Sequence, residues 1–272
     1  MSAAAGSIRT GIGGWVFPAW RGGTFYPPGL PQREELAYAS QHLGCIEINS
    51  TFYRAQTPAI YAQWREQTPA GFRFSAKAPR TITQTHDLTT VGERAERFIT
   101  GISALEDRLG PLIWQFGDSH PAGAAEFDRF LGMLPRKVDG HRLQHALEVR
   151  NPAAWTPALL TAARAHGAAL VFSSSDEYPS FADPTTDFIY ARLMHSRANL
   201  HAGYSARAIQ QWSLRAARWA LGEDNPDLPH LAAEAPAGPS REVYLLFIGA
   251  AKQRNPGAAM ALRDQLLQLG DG

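Results

Sequence analysis

CIEINSTFY, residues 45–53, decides how this chain folds. Read with a period of two, Ile46 and Ile48 point to one side and Cys45, Glu47 and Asn49 to the other. A strand whose apolar face packs on helices while a carboxylate and an amide face inward is not a simple core strand. A buried carboxylate is costly unless something pairs with it or uses it. Glu47 therefore needs a partner or a role, and the same pattern recurs in other strands.

Working outward, β-like runs fall at residues 8–13, 45–49, 72–77, 112–116, 143–150, 168–173, 188–193 and 243–248. Helix-like stretches fall at 32–42, 57–67, 92–109, 122–134, 157–166, 205–221 and 256–269. Thr57-Pro58 and Asn255-Pro256 each put a capping side chain before a first-turn proline, and Ser205 caps the stretch that follows it. Eight strands alternating with helices argue for an α/β parallel architecture. At 272 residues the chain is close to the ~250 typical of a (β/α)8 TIM-like barrel. The runner-up, an open doubly wound sheet, calls for a glycine-rich first turn, and GIGGW does not supply G-x-G-x-x-G. The reading is one irregular barrel domain over 1–272. The helix between strands six and seven is missing or short, because SSDEYPSFADPTT is too brief and turn-rich. The proline-punctuated stretch 225–240 reads as a mobile surface excursion.

Composition narrows the function classes. A formal net charge of +1 supplies no global field for nucleic acid or anionic membrane, although a local patch is still compatible with it. The single cysteine excludes an internal disulfide framework and a multi-cysteine metal site. No charged stretch followed by an apolar run opens the chain, and no apolar run approaches the ~20 residues that span a bilayer. The expectation is a cytoplasmic protein without a membrane partner.

In a barrel of this kind the site lies where strands end and βα loops begin. Alternation points Glu47 and Asn49 of strand two inward, then Ser75 and Lys77 of strand three and Gln115 of strand four. Strand five adds Glu148 and Arg150, and strand seven adds Tyr190 and Arg192. A single inward glutamate is as often a structural ion-pair member as a catalyst, and Glu148 with Arg150 fits either role. Lys77 leans toward function: the chain has three lysines against 23 arginines, and one falls in this mouth. Lysine shifts its pKa on burial and serves as acid, base or imine former, which arginine does not. Asn49 and Gln115 fit orienting roles.

The loop after strand one carries Trp15, Phe17, Trp20, Phe25 and Tyr26 beside Arg21. It reads equally as a packed plug or as a stacking wall for a sugar or base. His86, in the loop after strand three, is a second-tier candidate. No H-E-x-x-H, paired histidines or calcium-loop pattern is present, so neither a metal nor another cofactor is expected. The absence of a phosphate-loop motif and of G-x-S-x-G disfavours nucleotide triphosphatases and ordinary serine hydrolases.

GGWVFPAWRGGTFYPPGLP, LGCIEINSTFY, GFRFSAKAPRTIT, LGPLIWQF, ALEVRNPAAW and FIYARL, in this order, resemble the YecE-like family, domain of unknown function 72. The resemblance covers residues 8 to about 204 and implies a (β/α)8-type barrel. That fold is similar to the endonuclease IV and xylose isomerase barrels, an analogy pointing to phosphodiester or sugar chemistry. It carries Trp15, Glu47, Asn49, Lys77, Glu148, Arg150 and Arg192 over as the family's polar mouth. Three departures mark this chain. The family's R-x-H-G becomes Arg192-Leu193-Met194-His195, so His195 joins the mouth only if the strand bulges. Its Y-F-N-N becomes Phe247 followed by Ile248-Gly249, and a proline pair after strand four becomes Gly117-Asp118.

The leading expectation is a metal-independent acid/base enzyme, a hydrolase or lyase, acting on a small anionic, sugar-like or phosphorylated substrate. Glu47, Lys77 and Glu148 are the catalytic candidates. Trp15, Asn49, Gln115, Arg150, Tyr190, Arg192 and His195 are the substrate-binding ones, with the arginines clamping the anion. The alternatives are a nucleic-acid-binding or phosphodiester-processing protein and a non-catalytic ligand sensor. Oligomeric state is not legible.

Overall fold

The alternation found in CIEINSTFY runs around the whole molecule as a ring of parallel strands. In the computed structural model, which describes residues 5–233 and 237–270, the strands are β1 (Ile8–Gly13), β2 (Cys45–Ile48), β3 (Arg73–Lys77), β4 (Leu109–Phe116) and β5 (His145–Val149). They continue with β6 in two pieces (Ala169–Leu170 and Phe172–Ser174), β7 (Phe188–Leu193) and β8 (Glu242–Phe247). The first piece of β6 pairs with β5 and the second with β7, so this one strand stands at both ends of the strand order. The nine segments thus form an all but closed eight-stranded barrel, split only at Val171.

Side chains sort by strand phase. Cys45, Ile113, Ala146, Tyr190, Tyr244 and Leu246 fill the barrel interior. Ile46, Phe74, Trp114, Leu147, Leu193 and Phe247 face outward into the larger core beneath the helices. The interior is closed at the N-terminal end by the Arg9–Glu242 ion pair and by the Tyr244 hydroxyl, which donates to Gln144 Oε1 at 3.0 Å.

The outer layer is α1 (Glu35–His42), α2 (Pro58–Glu66), α3 (Arg80–Thr83), α4 (Gly92–Ile102), α5 (Ala124–Met133), α6 (Pro157–His166), α7 (Ala206–Ala220) and α8 (Asn255–Gly270). Ser205 caps α7 by accepting from the Ala208 N–H at 3.2 Å, whereas the Thr57 side chain makes no capping bond to α2. The helix expected over 92–109 stops at Ile102. Residues 103–108 continue as 3-10 turns, with Glu106 in the left-handed region at φ 46°. Residues 175–187 cross from β6 to β7 without a helix.

The stretch expected to be a mobile excursion includes 234–236, which lie outside the described residues. Its nearer part is pinned: Asp183 accepts from the N–H groups of Leu231 and Ala232 at 2.8 and 3.1 Å, and Ala182 N–H donates to Pro229 at 2.8 Å. Among the described residues, no helix is long and apolar enough to cross a membrane.

Gly11 marks the tightest approach inside the barrel. A Cβ there would lie 2.1 Å from the Cys45 carbonyl oxygen and 2.6 Å from its sulfur. Because the clash is partly with backbone, β1 and β2 must separate to admit it. Gly11→Ala is expected to lower unfolding free energy by about 1–3 kcal/mol, measured by urea denaturation.

Candidate functional site

The site grows from two carboxylates that share one guanidinium. Glu47 on β2 is 0% exposed and Arg192 on β7 is 2% exposed, and Arg192 Nη2 donates to Glu47 Oε1 at 2.7 Å. Arg192 Nη1 donates to Glu148 Oε2, on β5, at 2.8 Å. The second oxygen of Glu47 accepts from the Tyr190 hydroxyl at 2.8 Å, and Ser75 Oγ lies 2.7 Å from that same hydroxyl. Glu148 Oε2 also accepts from Gln115 Nε2 at 2.7 Å, and its Oε1 accepts from Arg150 Nε at 2.8 Å. Seven side chains, six of them on five strands and Arg150 just beyond β5, form one continuous hydrogen-bonded layer. Burial alone would push the Glu148 carboxyl up, but the Arg192 and Arg150 charges and the hydrogen bonds from Arg150 and Gln115 hold it below the ordinary glutamate range.

Above this layer opens a cavity of about 380 Å3, lined by Asn49, Phe52, Lys77, Arg150, Arg192 and Lys252 among others. The EINSTFY segment builds one wall. Beyond Ile48 the chain turns through one 3-10 turn (Ser50–Phe52), and Thr51 Oγ1 sits 2.9 Å from the Ile48 carbonyl and 2.7 Å from that of Lys77. This hydroxyl ties the end of β2 to the end of β3 and sets Phe52 under Lys77, whose Nζ lies 4.8 Å from the ring centroid. Among the described residues, Lys77 Nζ has no hydrogen-bond or ion-pair partner. Burial and the Arg192 charge lower its pKa, against the weaker raising influence of Glu47 and Glu148.

Arg150 is held from two sides, by Glu148 and by the Tyr178 ring 3.8 Å away on the helix-free loop after β6. It also borders a second cavity of about 430 Å3 lined by Gln115, His86 and Asp118, and Phe52 and Arg150 stand between the two. The apolar part of the first wall is Met194, Ile248 and Gly249.

The sequence-selected residues divide. Asn49, Lys77, Arg150 and Arg192 meet at the first cavity, and Gln115 reaches the second. Glu47, Glu148 and Tyr190 lie beneath as the supporting layer, buried and occupied by their partners. Trp15 stands apart: it packs edge-on against Trp64 and Phe74 at 4.8 and 6.1 Å, on the helix side of β3, and borders a different surface hollow. His195 also stays outside. β7 remains in register with its neighbours through Leu193 and does not bulge, so Met194 takes the inward position. His195 Nδ1 instead lies 3.5 Å from Asp176, and its backbone N–H donates to the Tyr204 hydroxyl at 2.8 Å.

Lys252 is the residue that sequence reasoning missed. It sits in the β8–α8 loop, with Nζ 4.6 Å from the Phe17 ring and 5.7 Å from the Trp20 ring. The aromatic loop after β1 is thus a packed support: Trp20 and Tyr26 are buried, and Trp20 Nε1 donates to the Lys252 carbonyl at 3.0 Å. The scarcity of lysine that singled out Lys77 applied equally to Lys252. Among the described residues no three His, Cys, Asp or Glu side chains cluster closely enough to hold a metal ion.

The chain belongs to the family described as protein of unknown function DUF72, which it matches over residues 9–271. It is similar to the UPF0759 protein YecE of Escherichia coli K12, with 32% identity over 129 residues; that match spans 42% of this chain and 44% of the curated relative. Its fold is similar to that of a DUF72 family protein from Thermotoga maritima MSB8, with TM-score 0.71, 20% identity, and coverage of 98% of this chain and 100% of that one. A DUF72 family protein from Enterococcus faecalis V583 gives TM-score 0.68 and 18% identity, covering 96% of this chain and 95% of that one.

Removing the shared guanidinium leaves Glu47 buried without a charge partner and Glu148 with Arg150 alone. Arg192→Met is expected to cost about 3–5 kcal/mol in chemical denaturation, whereas Lys77→Met, which deletes an unpartnered amine, leaves stability unchanged or raises it. Glu148 also sets a pH signature. Its folded pKa lies below its unfolded value of about 4.3, so its stabilisation is present above that pH and is lost as pH falls through the folded value. Denaturation midpoints from pH 7 down to pH 3 are expected to fall less steeply in Glu148→Gln than in the wild type.

Proposed function

We propose that this DUF72 protein is an acid/base enzyme acting on a small anionic, sugar-like or phosphorylated substrate at the C-terminal mouth of its barrel. One observation carries the reading: Lys77, Arg150, Arg192 and Lys252 line a single cavity whose nearby carboxylates, Glu47 and Glu148, are already engaged below it. Once Glu47 and Glu148 balance Arg192 and Arg150, Lys252 and the protonated fraction of Lys77 leave the cavity net positive, which favours an anion. Arg150, which spends only its Nε on Glu148, presents its Nη groups to carboxylate or phosphate oxygens, and Lys252 adds a compact charge from the β8–α8 loop. At about 380 Å3 the cavity falls at the small end of the ~300–1,000 Å3 range of ligand sites, which suits a substrate of sugar-phosphate size.

In this reading Lys77 moves the proton. Its lowered pKa keeps more of the amine neutral near pH 7 than an exposed lysine would. Glu47 and Glu148 hold Arg192 and Arg150 in position, and Asn49 orients the substrate. Catalysis by Glu47 itself would require it to leave both Arg192 and Tyr190, so the proton-transfer role passes to the amine.

A second reading, binding of a nucleic-acid strand, draws on Tyr53, which is 72% exposed and borders both the mouth and a neighbouring groove. That groove, about 950 Å3, carries Arg54, Arg94 and Arg97, an arrangement suited to a stacked base and a phosphate chain. The glutamates at 93 and 96 in the same groove weigh against it.

Thermal melting at low salt separates the two. Phosphate, sugar phosphates or uronic acids at 100 times their dissociation constant stabilise by about 2.7 kcal/mol, and the shift is expected to vanish in Arg150→Ala and Lys252→Ala. A shift confined to oligonucleotides and falling steeply with salt would favour the strand-binding reading. No shift with any small anion would remove the first.

A further inference from the structure

Lys77 is the least explained group in the mouth. Among the charged side chains around it, Glu47 and Glu148 are bridged by Arg192 and Arg150 lies between Glu148 and Tyr178, while Lys252, which among the described residues also has no charged partner, is flanked by two rings, Phe17 and Trp20. Lys77 Nζ has only the face of Phe52, 4.8 Å away, and the open cavity. An ammonium at this point joins Lys252 as positive charge that Glu47 and Glu148 leave unbalanced, because those two carboxylates already pair with Arg192 and Arg150. The neutral amine avoids that excess, and its lone pair is then free toward the cavity. A free lone pair is what attack on a carbonyl carbon requires, and the cations lining the same cavity offer a place for the substrate's negative group.

We propose that Lys77 forms an imine with the carbonyl carbon of an anionic aldehyde or ketone whose negative group is held by Arg150, Arg192 and Lys252. The proposal deepens the anion-binding reading of the same mouth and rests on it. The neutral amine adds its lone pair to the carbonyl carbon, and a proton moves from nitrogen to oxygen to give the carbinolamine. The carbinolamine then loses its hydroxyl together with the remaining nitrogen proton as one water molecule, leaving a C=N bond. No oxidant or reductant is consumed, and water reverses the step. The flanking cations favour the neutral amine that attacks, as in other lysines activated beside a second positive charge. They also supply the charge that holds the anionic end of the substrate in the same cavity.

The chain's lysine content makes the test selective, because labelling can fall only on Lys77, Lys137, Lys252 or the N-terminus. Lys137 is exposed, on a short hairpin remote from the mouth, and serves as the internal control. The protein is incubated with pyridoxal 5′-phosphate, an aldehyde that carries a phosphate, reduced with cyanoborohydride, digested and mapped by mass spectrometry. The same protein is melted with pyridoxine 5′-phosphate, which keeps the phosphate and lacks the aldehyde.

The expected result is a reduced adduct on Lys77 in preference to the more accessible Lys137, suppressed by inorganic phosphate, with a melting shift from pyridoxine 5′-phosphate. Lys77→Arg is expected to lose the adduct and keep the shift. A shift without an adduct on Lys77, or with labelling only at Lys137 or Lys252, overturns the imine and leaves the anion site standing. The absence of both shift and phosphate protection, even with some labelling of Lys77, overturns the anion site and the proposal with it.

Discussion

Arg192 bridging Glu47 and Glu148 is the constraint on which the working end of the barrel depends. Three charged groups are removed from water in the middle of a protein, where each is costly alone. They are tolerated because each is paired with a neighbour on another strand: β2 meets β7 through Glu47, β7 meets β5 through Glu148, and β5 meets β4 through Gln115. Such a network is a poor source of net stability. Its effect is geometric, since any slip of one strand along the next would strand a charge without its partner. Tyr190 and Ser75 extend the layer one step lower and join it to the apolar interior.

That layer determines the character of the space above it. The two carboxylates balance Arg192 and Arg150, so the positive charge left facing the cavity is that of Lys77 and Lys252. The result is a concave, cationic end on a chain whose formal net charge is only +1. Two structural facts sharpen it. β7 runs to Leu193 without a bulge, which gives the inward position to Met194, and β8 ends in Ile248 and Gly249. One side of the mouth is therefore apolar, and the cations gather on the other sides.

The loops are less free than their composition suggests. The aromatic loop after β1 buries Trp20, Phe25 and Tyr26 and supports Lys252 through Trp20 and the half-buried Phe17. The helix-free passage after β6 returns over the mouth and lays Tyr178 on Arg150. Further along it Asp183 fastens the segment before β8 through two backbone N–H groups. Where the barrel lacks a helix, side-chain-to-backbone bonds hold the chain in place.

What the sequence determined by itself is local and periodic. Alternation assigned Glu47, Ser75, Lys77, Gln115, Glu148, Arg150, Tyr190 and Arg192 to the inner phase of their strands, and the structure puts all of them there, because side-chain direction in a strand depends only on the residue's own parity. Eight such strands with intervening helices sufficed for the barrel. What only the tertiary structure decided is height and partnership. Parity does not tell how far one strand is staggered against the next, so it could not separate the buried Glu47 and Tyr190 from the open Lys77. Nor did it show that Trp15 packs behind β3, that His195 turns away, or that a loop returns Lys252 to the mouth. Those outcomes rest on the register between strands and on contacts between residues more than two hundred positions apart, such as Trp20 with Lys252, and no local pattern encodes them.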